Sequence, residues 1–300
     1  MLETTVDKKL KKRLQKIFNC LNVSSRNGVQ ERFFQRYLVV KEIFSRQIIP
    51  DHLVELDQAS ALLKLLSPQD IDALLDLGMH EACLGEDMSI LSNALFSRNR
   101  LVYHRNLTLG AGADHSRHFR TIIECFACND IQLVETVFRE NNELAKNGNT
   151  FNVLGINLLM SIICKREDWL RESLLKAEKY ESGSNSQFDR AVIGLLVCIA
   201  DKNGSQCEVL FLEIINLYGR TKWLHEFQTP SLKLFSPFIH GLHNFAHYVL
   251  GIQIPVREEQ IINTAFWTQF SDFHKENHFK CAIPFITFDG ELSLLNRIYD

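Results

Sequence analysis

Apolar positions along the chain recur at the three- and four-residue spacing of helices, most regularly from Arg117 to Gly219, a stretch without proline. Within it, residues 122–144, 158–181 and 195–218 each read as an apolar helix, a short polar turn and a second apolar helix. The turns are Asn129-Asp130, Lys165-Arg166-Glu167-Asp168 and Asp201-Lys202-Asn203-Gly204, and they recur roughly every 37 residues, within the range of stacked helix-turn-helix units. Such hairpins bury their apolar faces only against neighbours, so the pattern predicts an all-α protein, a compact α-solenoid of stacked helical hairpins with helical caps. The array is tetratricopeptide-like but degenerate, because its period is too long and the Trp-Leu-Gly and terminal Pro signals are missing.

The flanks continue the helical theme. A first helix after Thr4-Thr5 places Leu10, Leu14, Ile17, Phe18 and Leu21 on one stripe. A second carries Phe33, Phe34, Tyr37, Leu38, Ile43 and Phe44 and ends at Ile49-Pro50, since proline disfavours helix in the residue before it. Asp51 to Leu66 predicts a third. Ser67-Pro68-Gln69-Asp70 is the clearest helix start, with Ser67 as cap, Pro68 in the first turn and Asp70 at the capping-box position. That helix is expected to bury Ile71, Leu74 and Leu75, to leave Asp72 and Asp76 on its outer face, and to close at Gly78. Further helical turns cover 79–84 and 86–96, and from Ser97 to Ser116 the signal weakens into an entry loop at Thr108–Asp114. After a link through Trp223, Phe227 and Thr229-Pro230, helices are expected over Ser236–Leu250 and Glu258–Asn277. The tail Cys281–Phe288, rich in β-branched and aromatic residues, reads as a short strand or an extended strap. Residues 1–300 thus form one all-helical domain, with N-terminal helices over 1–110, the hairpin array over 114–250 and a C-terminal cap over 251–300.

Composition adds limits. At 46% hydrophobic and 23% charged, the 300 residues suit a globular protein with a real core. No apolar run approaches the ~20 residues that cross a bilayer, and the lysine-rich N-terminus lacks the apolar segment of a signal peptide. The expected location is cytoplasmic, and a disulfide framework is not expected there. Cys20, Cys125, Cys128, Cys164 and Cys198 fall inside apolar helical patterns, and Cys125-x-x-Cys128 reads as core packing rather than a redox or zinc motif. The net charge of −3 is unevenly spread. Lys8, Lys9, Lys11, Lys12, Arg13 and Lys16 crowd the first helix as a solvated face. Asp51, Glu55, Asp57, Asp70, Asp72, Asp76, Glu81, Glu86 and Asp87 oppose Lys64 alone between Asp51 and Leu91. Arg98, Arg100, Arg105, Arg117 and Arg120 then surround Asp114.

Three constellations could carry chemistry. His240, His243 and His247 share one helix face, a spacing that can ligate zinc, but no glutamate base lies nearby; their expected role is hydrogen bonding in a crowded helix interface, and no metal or cofactor is assigned. His104-Arg105 with Asp114-His115-Ser116-Arg117-His118 contains triad residue types, yet adjacency is not triad geometry. An anion site or an internal salt-bridge layer between these arginines and the preceding acidic helices accounts for it better. His274-x-x-x-His278 reads as surface. No Gly-x-Ser-x-Gly, His-Glu-x-x-His or P-loop pattern occurs, so no enzymatic activity is assigned. The acidic helices remain the best contact region: Asp72, Asp76, Glu81, Glu86 and Asp87 would present a negative field to a basic partner.

Asp114-His115-Ser116-Arg117-His118-Phe119 and Leu234-Phe235-Ser236-Pro237-Phe238-Ile239-His240-Gly241-Leu242-His243-Asn244-Phe245-Ala246 resemble segments of helical immunity proteins of bacterial polymorphic toxin systems, nearest the immunity protein 49 group. The resemblance covers about His104 to Leu250. It implies a non-enzymatic cytoplasmic protein that binds and neutralises a cognate protein toxin by occluding its active site, and it carries no residue assignments with it. A helical-repeat scaffold or regulator that binds peptide or protein partners is the other expectation. Neither membrane nor nucleic acid is expected as a partner, and a homo-oligomer is compatible with the pattern.

Overall fold

A computed structural model describes residues 12, 14–16, 18–19, 25–46, 49–109, 114–218, 232, 235–256 and 266–300. Most of the basic first helix, residues 110–113 of the entry loop, the link through Trp223 and the first half of the helix expected from Glu258 lie outside the described residues. Among those described, every regular element is helical: α1 (Arg26–Ser45), α2 (Gln58–Leu65), α3 (Pro68–Gly85), α4 (Met88–Thr108), α5 (Phe119–Ala127), α6 (Ile131–Glu140), α7 (Thr150–Ile163), α8 (Glu167–Glu181), α9 (Gln187–Ala200), α10 (Gly204–Tyr218), α11 (Pro237–Leu250) and α12 (Trp267–Glu276), with 3-10 helices at His115–His118 and Gly290–Tyr299. No helix among them is long and apolar enough to cross a membrane. The contacts divide the chain into two compact units, the first holding α1–α4 and Ala282–Asp300, the second holding the remaining helices.

In the first unit, the predicted start of α3 is realised in full. The Ser67 side chain accepts from the Asp70 N–H, and the Asp70 carboxylate accepts from the Ser67 N–H in return. The helix does not stop at Gly78 but runs to Gly85, because Gly78 is where α3 meets α4: a Cβ there would lie 2.2 Å from the Ala94 Cβ. The third predicted helix is shorter than expected, with turns from Asp51 and helix only from Gln58, capped by Asp57. α4 is longer than the sequence suggested, running through Arg98, Asn99 and Arg100, all of them buried. Polar side chains on an inward face erase the amphipathic signal without breaking the helix. The tail is a strap and not a strand. Its backbone donors go to side chains, Ile283 N–H to Asn93 Oδ1 at 3.0 Å and Phe285 N–H to Ser97 Oγ at 2.8 Å. Phe285, Phe288 and Leu295 thereby join Val29, Phe33, Leu62 and Leu74 in one core, where the rings of Phe33 and Phe288 stack at 5.5 Å.

In the second unit, the three predicted hairpins appear as α5–α6, α7–α8 and α9–α10. Their turns share one backbone solution. Asn129, Lys165 and Lys202 have φ of 56°, 53° and 55°, and the following N–H reaches back five residues: Asp130 to Cys125 O at 3.0 Å, Arg166 to Ser161 O at 3.0 Å, Asn203 to Cys198 O at 2.9 Å. That left-handed residue and six-to-one bond close a helix and reverse the chain. The first helices touch in sequence, α5 with α7 and α7 with α9, and α11 packs closely on α5 while also meeting α9 and α10. Two glycines set these distances. A Cβ on Gly241 of α11 would stand 1.9 Å from the Ile123 carbonyl of α5, and one on Gly155 of α7 would enter the Phe119 ring at 2.4 Å. The seven described cysteines form no disulfide with one another, and Cys125 and Cys128 are both buried in the core.

Candidate functional site

The histidine row of α11 faces inward. His240 is 1% exposed and stacks on Trp267 at 4.2 Å and Phe235 at 4.7 Å. Its Nε2 is buried without a hydrogen-bond partner among the described residues. His243, also buried, bonds through Nε2 to the Ile254 carbonyl at 3.0 Å and meets Trp267 edge-on. His247, half-buried, stacks on Phe279 at 4.2 Å. His274 was expected at the surface and is instead buried in the same unit, its Nδ1 3.0 Å from Asn129 Nδ2 and its ring edge-on to Phe270. The signal for it was available, since His274 follows Phe270 by four residues on the apolar stripe of α12; His278 is exposed. Burial lowers all three buried imidazoles below the usual histidine range, His240 well below and His274 to about 4, and each feels a neighbouring histidine that lowers it further. They are neutral at pH 7, held in an aromatic box. No group of three or more His, Cys, Asp or Glu among the described residues is disposed to hold a metal ion.

The Asp114–His118 segment is a clasp. Asp114 accepts from the Ser116 N–H at 3.0 Å through one oxygen and from the Lys146 and Asn147 N–H groups at 2.6 and 2.8 Å through the other. Burial pushes its carboxyl up, but these three donors outweigh that and hold it below the ordinary value. Ser116 Oγ donates to the Asn147 carbonyl at 2.6 Å, so its hydroxyl proton is spent on a backbone oxygen and not directed to a base. The segment ties the start of the second unit to the loop before α7, a structural use of residue types that resemble a triad.

The acidic run is divided by burial and pairing. Asp72 is not on an outer face: it is 7% exposed and bonds Arg98 Nε at 2.7 Å, so the expected internal layer exists at this point. Arg105 caps α2 instead, donating to Leu66 O at 2.7 Å. Asp70 is fully buried and meets Arg32 and Arg36 of α1; burial raises its carboxyl, but the Ser67 donors and Arg32 bring it below the ordinary range. Asp57 pairs with Arg297, which lowers it to about 2. Glu81 pairs with Arg26 at 2.7 Å, and Asp76 is half-buried. Asp51 and Glu55 stay exposed before α2, and so does the turn joining α3 to α4. Leu84 is 73% exposed there, beside exposed Glu86 and Asp87. Glu86 takes φ 53°, and Asp87 caps α4 by accepting from the Ser89 N–H at 2.8 Å, which leaves its carboxylate fixed in direction. The Gly78–Ala94 contact and the Asp72–Arg98 pair lock the hairpin behind it. Comparison with protein-family models, with curated proteins and with solved structures finds no match for this chain.

Proposed function

We propose that the chain is an immunity-type inhibitor, a non-enzymatic protein of the cytoplasm that binds a basic region of a cognate toxin and covers its active site. The observation that carries this reading is the α3–α4 turn, where an exposed leucine sits between carboxylates on a rigid hairpin. An apolar anchor ringed by charge of one sign is a recurrent form of protein contact: the anchor supplies affinity and the charges steer and select. The hairpins α5–α10 are read as a solenoid-type array that serves as the scaffold. Of the five acidic residues singled out in the sequence, Glu86 and Asp87 are assigned the direct contact, Glu81 and Asp76 the rim, and Asp72 the internal support.

The test exchanges Leu84→Ser, Glu86→Gln and Asp87→Asn together; asparagine keeps the helix cap, so the fold is retained. Binding to the toxin measured by calorimetry is expected to weaken by roughly 30-fold or more, as loss of an interface anchor does. Unchanged binding by a folded variant removes the turn from the interface. Absence of any toxic partner overturns the immunity reading itself.

A further inference from the structure

Helix α12 is fastened through a histidine. His274 Nδ1 lies 3.0 Å from Asn129 Nδ2 of the α5–α6 turn, and the same amide nitrogen donates to the Lys280 carbonyl at 3.4 Å. That second bond fixes the amide with its nitrogen toward the ring, so Nδ1 is the acceptor and the ring is neutral. A proton on Nδ1 would set donor against donor in a buried place, and the bond would be lost. Nearby, His240 of α11 stacks on Trp267, the first residue of α12, and meets Phe270 edge-on at 5.0 Å, while His243 meets Trp267 edge-on. Three buried imidazoles thus gather where α11 and α12 meet.

Among the described residues no carboxylate pairs with these rings. The titratable groups that bear on them are one another and His247 of α11. In the α5–α6 turn, Asp130 accepts from the Leu133 N–H at 3.2 Å at the start of α6. α10 presents the Phe211 ring, and the chain after α12 presents Phe279 and exposed Lys280. Asp272, Lys275 and Glu276 of α12 itself are exposed. The Ile254 and Ala127 carbonyls favour charge on His243 and His274, but burial outweighs them. α12 is also bounded by left-handed residues on both sides, Phe266 at φ 59° and His278 and Phe279 at φ 52°, conformations that residues with a Cβ hold at a cost.

We propose that α12 is an acid-released latch: a proton on His274 breaks its bond to Asn129, charge gathered on His240 and His243 repels it, and the helix leaves α11 while the hairpins α5–α10 stay folded. Release uncovers the rings of Phe211 and Phe235 and relaxes the left-handed residues at both ends of α12. The latch does not depend on the immunity reading.

The experiment is hydrogen exchange of the full chain at pH 7 and pH 5, corrected for the intrinsic pH dependence of amide exchange, with and without urea below the unfolding transition. For a ring near 4 in the closed helix and 6.5 in the open one, the opening constant of residues 267–276 should rise about twentyfold from pH 7 to pH 5. Opening of α12 should be insensitive to urea, whereas exchange at Val192–Leu196 of α9 should quicken with it, because a local opening exposes little surface. Asn129→Asp places a carboxylate against the protonated ring and should cut the rise to less than about threefold. No rise at pH 5 overturns the proposal, and so does an α12 that exchanges with the urea dependence of α9; both readings use the parent chain alone. An undiminished rise in folded Asn129→Asp overturns it as well.

Discussion

Acid should destabilise this protein well above the range in which its carboxylates titrate, and the buried histidines are the reason. In the folded chain His274 is lowered to about 4 from an ordinary 6.5, chiefly by burial, and His104 of α4 is lowered to about 4 by burial with Arg100 and Arg297 adding. His240 and His243 are lowered by the same cause. When the chain unfolds, each imidazole returns to its ordinary value and takes up a proton at any pH below about 6.5. The sign is therefore fixed: these groups leave stability intact above about 6.5 and erode it as pH falls from there toward the folded value near 4. For His274 at pH 5, the gap of about 1.5 pH units at ~1.36 kcal/mol per unit comes to about 2 kcal/mol. His104, in the first unit, costs a similar amount there, a loss of about 2 kcal/mol in each unit against a domain stability of about 5–15 kcal/mol. Urea unfolding followed by circular dichroism at pH 7, 6 and 5 reads this directly. His240→Phe preserves the stacking on Trp267 and Phe235 and removes a buried nitrogen without a partner. It should be no less stable at pH 7, and its dependence on pH should be shallower by up to about 1.4 kcal/mol per unit. Equal stability of the parent at pH 7 and pH 5 would refute burial of neutral imidazoles.

Other substitutions probe the packing. Gly241→Ala puts a methyl 1.9 Å from the Ile123 carbonyl, backbone against backbone, and should cost at least about 2–3 kcal/mol in urea unfolding. Gly194→Ala meets only the ends of Glu181 and Leu210 at 3.3 and 3.4 Å and should change stability by less than about 1 kcal/mol. Asp72→Ala leaves Arg98 buried beside α3 without its carboxylate and should cost about 3–5 kcal/mol, of which adding Arg98→Met should recover a large part. Asp114→Ala removes the acceptor for three backbone N–H groups and should cost about 2–3 kcal/mol, with hydrogen exchange quickening at Lys146 and Asn147.

Periodicity made the hairpins legible because each of their helices buries one stripe, and the polar turns at Asn129, Lys165 and Lys202 mark reversals that local chemistry specifies. The α3 cap was legible for the same reason. Where polar side chains face inward, the pattern misleads: α4 carries Arg98, Asn99 and Arg100 inside, so its helical signal weakens from Ser97 on although the helix runs to Thr108. Pairing over long sequence distances was hidden altogether. Arg26 to Glu81 and Arg297 to Asp57 are separated by 55 and 240 positions, and these surface ion pairs neutralise part of an apparent acidic field. His274 was missed by weighing its polarity above its place four residues after Phe270.

The central proposal is that this chain masks a toxin. The most direct measurement is growth of host cells expressing the protein that co-purifies stoichiometrically with it, with and without this chain. Growth arrest by the partner alone, relieved by co-expression of this chain and not by the Leu84, Glu86 and Asp87 triple variant, is the predicted result. A partner that is harmless on its own, or arrest that this chain does not relieve, would contradict it.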